Sequence, residues 1–124
     1  GDATKAVARE ALASSDKALA EAGLEAAIKL GDTEAGSILV ERLELDATDT
    51  WSEASIEALA RLKTEAAITL FRRGMPTASK SLKLTMLRAA KRIGGKAATR
   101  FLVEISMSGE PEVSTSASQL LRSR

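Results

Sequence analysis

Glu110 and Glu112 flank Pro111 and place two carboxylates two residues apart. Paired acids are what general acid–base chemistry uses. Ser114, Ser116 and Ser118 follow, and a serine hydroxyl beside a base would perform acyl transfer. Gly94-Gly95-Lys96 offers the glycines and the cation of a phosphate-binding loop. Each candidate lacks its complement. The 124 residues contain no His, so none of the serines has the usual base. They contain no Cys, which excludes disulfides, thiolate nucleophiles and Cys-ligated zinc. The glycine pair lacks the rest of a phosphate loop and follows a helical pattern, not a strand. Glu110 and Glu112 fit the acidic start of a helix better than a catalytic pair. The expectation is a chain without enzymatic activity, metal or cofactor.

Charge carries more information. The net charge is +1, but residues 1–57 hold 13 acids and 5 bases, and residues 58–124 hold 4 acids and 13 bases. The halves therefore balance at −8 and +9. Between Arg61 and Arg100 there are 11 bases and one acid, Glu65. Such segregation favours oppositely charged partners.

These charges need elements to position them. Apolar residues make up 44% of the chain and aromatics 2%. A core of Leu, Ile, Val and much Ala suits helices, and β-formers are too sparse for a sheet. No apolar run is long enough to span a bilayer. Four stretches superimpose at a step of 31 to 32 residues: Leu19, Trp51, Leu82 and Val113 in one row, and Val7, Leu39, Leu70 and Phe101 in another. That period marks helical units that bury apolar faces against one another. We expect one domain over residues 1–124, with units of about 1–32, 33–63, 64–94 and 95–124. Both rows are assigned to the core, Trp51 included.

Within the second unit, helices are expected over 34–45 and 51–62, separated by the turn-forming run Asp46-Ala47-Thr48-Asp49-Thr50. Gly74-Met75-Pro76-Thr77 is expected to stop a helix, with Gly74 in a left-handed cap. The first unit is read as two helices broken at Ser14-Ser15-Asp16, since Ala3, Val7 and Ala11 fall where Ala35, Leu39 and Leu43 fall; the alternative is one helix that runs to Ala22 and stops at Gly23.

The segment Gly109-Glu110-Pro111-Glu112-Val113, followed by Ala117 and Leu120-Leu121, resembles the HEAT-repeat family in its short bacterial form. Ala58-Leu59-Ala60-Arg61-Leu62 and Ala89-Ala90-Lys91-Arg92-Ile93-Gly94 are similar to that family's helix end. The resemblance implies a right-handed α-solenoid of about four helical hairpins, which holds partners on its concave face. The family often places Arg just after the Val, where this chain has Ser52, Lys83 and Ser114, so no Asp–Arg ladder is expected. Iron-dependent hydroxylases of related fold need His-Glu pairs, which are missing here.

On that frame, Glu21, Glu25, Glu53, Glu57, Arg61, Arg88, Lys91 and Arg92 fall on the second helices and form the expected partner-binding set. Residues four apart share a helix face. The surface would be acidic early and basic late, suited to a protein or peptide segment with two charged halves. The alternative is a solvated face in which Glu25–Lys29 and Glu57–Arg61 are ordinary i,i+4 pairs. A separate basic patch, Arg72, Arg73, Lys80, Lys83, Lys96 and Arg100, could neutralise phosphates and bind nucleic acid. Acidic and basic halves could also join copies into a homo-oligomer. Because Leu120 and Leu121 fall in core register near the end, the chain is read either as a fragment of a longer array or as one whose last helix a partner covers. The compartment is not encoded; cytoplasm is weakly favoured over periplasm.

Overall fold

The computed structural model describes residues 2–123, and among these it is all-helical, with eight α-helices and no strand. They are α1 (Asp2–Leu12), α2 (Lys17–Leu30), α3 (Ala35–Glu44), α4 (Glu53–Arg61), α5 (Ala67–Gly74), α6 (Lys80–Ile93), α7 (Gly95–Ser108) and α8 (Pro111–Arg122). Short 3₁₀ turns at Thr48–Thr50 and Met75–Thr77 interrupt two of the connections. No helix among the described residues is long and apolar enough to cross a membrane.

Polar residues set the helix starts. Asp16, Ser52 and Ser79 cap α2, α4 and α6, each accepting from the backbone N–H three residues on at 3.0–3.2 Å. Each bond satisfies an N–H that the first helical turn leaves without a partner. The chain therefore breaks before α2, at Ser14-Ser15-Asp16. Gly23 lies inside α2 and does not end it. A side chain there would strike the α1 backbone at Ala8, Ala11 and Leu12, so the missing Cβ lets the two helices approach closely. α2 ends instead at Gly31, whose φ of 64° closes the last turn through its N–H.

α1 packs on α2, α3 on α4, α6 on α7 and α7 on α8, and helices also meet their counterparts one pair along. α1 touches α3, α3 touches α5 and α5 touches α7; α2 touches α4, α4 touches α6 and α6 touches α8. The core lies between them. Phe71 and Phe101 are fully buried, with ring centroids 6.4 Å apart and planes tilted by 47°. Burying such a ring stabilises the fold by roughly 2–3 kcal/mol. Ile56 and Leu59 of α4 and Met86 and Leu87 of α6 are fully buried in one core cluster, and α4 packs on α6.

Three expectations are corrected. Val7 and Leu19 are not core: they are 66% and 48% exposed. Ala8 and Ala20 are buried in their place, which makes the step to Leu39 and to Trp51 a uniform 31. Trp51 does not begin a helix; it is extended and half-buried just before the Ser52 cap. Its indole Nε1–H donates at 3.1 Å to the Leu43 carbonyl, which also accepts from the Asp46 N–H at the α3 end. Gly74 has φ −79°, ordinary helical backbone, and forms no left-handed cap. Its function is space, since a Cβ at this position would collide with the Trp51 ring.

Candidate partner-binding groove

α2, α4 and α6 lie side by side and enclose two clefts. The first, about 500 Å³, runs between α2 and α4. Leu24, Ile28, Ala54 and Ala58 supply its apolar surface, and Glu21, Glu25, Glu57 and Arg61 its charge. The second, about 220 Å³, runs between α4 and α6 and is lined by Glu57, Ala60, Arg61, Thr85, Arg88, Ala89 and Arg92. Glu57 and Arg61 belong to both, so the two clefts form one groove that is acidic over α2 and basic over α6.

The groove charges are unspent. Among the described residues, Glu21, Glu25, Glu57, Arg61, Arg88 and Arg92 form no ion pair. Neither Glu25–Lys29 nor Glu57–Arg61 closes to ion-pair distance. All six charged residues are exposed. Arg88 alone is braced: its Nη2 donates to Thr85 Oγ1 at 3.2 Å.

Two of the sequence-predicted residues are not in this groove. The Glu53 carboxylate accepts from Ser81 Oγ at 2.5 Å and from Thr85 Oγ1 at 3.1 Å. The Ser81 bond, then the Thr85 bond, and last the charge of Arg88 hold Glu53 below the usual carboxylate range. Glu53 therefore clamps α4 to α6 and faces a different cleft, beside Trp51 and Ser79. Lys91 Nζ donates to the Ser123 carbonyl at 2.7 Å, tying α6 to the residue after α8.

The six-residue basic patch divides. Arg72 donates two N–H bonds to Glu104, both at 3.1 Å, and lies over the Phe101 ring, 5.9 Å from its centroid. Lys80 pairs with Glu112, and Lys83 with Glu110 at 2.6 Å. The Glu112 hydrogen bond raises Lys80, and the Lys83 hydrogen bond lowers Glu110, from their ordinary values. Lys96 and Arg100 line a separate open cleft on α7 beside Gly95. Arg73 is exposed and forms no ion pair among the described residues.

Sequence reasoning missed these acids, although the step that aligned the apolar rows would have found two. Glu104 stands 32 residues after Arg72, and Glu112 stands 32 after Lys80. Arg9 and Asp32 were missed as well: an Asp–Arg contact does join the first helix to the start of the second unit. Thr85 carried no signal, because its neighbours Leu82 and Met86 read as core on their own.

Compared with protein-family models, curated proteins and solved structures, the chain matches none.

Proposed function

We propose that the chain is a HEAT-like α-solenoid, four helical hairpins wound right-handed, that acts as a noncatalytic scaffold. Its partner is a protein segment with a cationic and an anionic half, laid across α2, α4 and α6. The observation that carries this reading is the shared groove, whose six charged residues have no ion-pair partner among the described residues. The helix-to-counterpart contacts support the stacked arrangement. Ionic complementarity of this kind gives fast, salt-sensitive association. Nucleic-acid binding draws less support, since Arg72, Lys80 and Lys83 are already paired with acids. Self-association draws on the same segregation of charge; sedimentation as a monomer at low and high salt would remove it.

The test is fluorescence anisotropy with two peptides of identical composition, one with its lysines and glutamates in separate blocks and one alternating. The blocked peptide should bind more tightly, lose affinity with salt, and fail against the variant carrying R61E, R88E and R92E. Equal binding of both peptides by both proteins would reject the proposal.

A further inference from the structure

The smaller cleft holds three guanidinium groups, Arg61 from α4 and Arg88 and Arg92 from α6, around a single carboxylate, Glu57. Three positive charges and one negative leave +2 on the lining itself, and the Glu53 carboxylate, behind Thr85 and outside the cleft, offsets part of the Arg88 charge. Monocarboxylate side chains supply −1 each, whereas a phosphomonoester carries about −1.5 to −2 at pH 7. The floor consists of Ala60 and Ala89, both buried and small, so nothing bulky keeps an anion from the arginines. Arg88 is held by Thr85, which is 1% exposed and whose hydroxyl also lies 3.1 Å from Glu53 Oε1 and from the Ser81 carbonyl. One edge of the Arg88 fork is thus fixed while its remaining N–H groups stay free for a tetrahedral oxyanion.

We infer that the α4–α6 cleft seats a phosphorylated side chain of the partner segment, a phosphomonoester dianion gripped by Arg61, Arg88 and Arg92. The inference rests on the groove reading above. It also fixes the polarity of the segment: cationic residues lie over Glu21 and Glu25, an apolar residue over Leu24 and Ile28, and the phosphoryl group over α6. A nucleic-acid backbone fits worse, because its phosphodiesters carry one charge each and would have to run past Glu21, Glu25 and Glu57.

The probes are a short peptide bearing two lysines, a leucine and one phosphoserine, the same peptide with serine, duplex DNA, and inorganic phosphate as competitor. The phosphopeptide should bind at least about tenfold more tightly than its serine form. R88Q and R92Q should bring the two forms near parity. Thr85→Val should reduce the preference in part, as expected of a positioning residue, and thermal melts confirm that each variant folds. Equal affinity of the two peptides for wild type would overturn the phosphoryl seat and leave the groove reading standing. Binding of neither peptide would remove the groove reading itself. Duplex DNA bound as tightly as the phosphopeptide, or inorganic phosphate competing as strongly as the phosphopeptide itself, would overturn the assignment to a protein segment.

Discussion

Arg9 grips Asp32 with two parallel hydrogen bonds, Nε to Oδ2 at 2.6 Å and Nη2 to Oδ1 at 2.7 Å. The Asp32 carboxylate is 2% exposed, and Arg9 also reaches Glu34 at 2.9 Å. The Arg9 bond holds Asp32 below the ordinary aspartate range, against the burial that pushes it up. The unfolded chain protonates this group near pH 3.9, its ordinary value, and the folded chain only at lower pH. Between the two values the unfolded state binds more protons, so stability rises with pH. The contribution is fully present above about pH 4 and is lost as pH falls through the folded value. Arg9→Leu should therefore lower stability at neutral pH, because it leaves the buried Asp32 carboxylate without its partner. The gap from wild type should narrow in acid, as thermal melts from neutral pH down would show.

Gly74→Ala should destabilise by about 1–3 kcal/mol, the usual result of overfilling a packed site. The added Cβ collides with the Trp51 ring and displaces the indole from the Leu43 carbonyl. Trp51 is the only tryptophan, so a shift in its fluorescence should accompany the lower melting temperature. An unchanged emission spectrum would contradict the contact.

Thr64→Val should stabilise the protein by about 1 kcal/mol. The Thr64 hydroxyl is buried against Gly36 and has no hydrogen-bond partner among the described residues. Valine fills the same space without an unsatisfied oxygen. Chemical denaturation should show a higher midpoint at unchanged slope.

Changing Glu104, Glu110 and Glu112 together to Gln should unmask Arg72, Lys83 and Lys80. Such surface pairs contribute little to stability, so the fold should persist. Affinity for duplex DNA at low salt should rise above that of wild type in a gel-shift titration. No gain would show that the acids are not what shields the patch.

The helices of the second to fourth units were legible because Leu39, Leu70, Phe101, Leu82 and Val113 are large apolar residues that fix a face. The first unit was not. In α1 and α2 alanine occurs so often that several helical stripes look equally apolar, and Val7 and Leu19 suggested the wrong one. What chose the face was Gly23, whose missing side chain allows the tight crossing that turns Ala8 and Ala20 inward. For the groove, the row of Glu25, Glu57 and Arg88 with Arg61 and Arg92 followed from helical spacing. The removal of Glu53 did not, because it depends on Ser81 and Thr85 lying within reach on the next helix. Spacing places a charge on a face; whether it remains available depends on hydroxyls and carbonyls that leave no apolar period in the sequence.

Arg42 bonds to the Leu12 and Ser14 carbonyls, Lys63 to that of Arg92, Arg72 to Glu104 and Lys91 to Ser123. Every one of these ties reaches an adjacent helix pair and stops there. Tension applied to the two ends would therefore find, among the described residues, no long-range side-chain brace to break at once. On the proposed stacked arrangement, the molecule should extend under load like a concertina, one pleat after another, and a segment lying across several pleats would act as a splint.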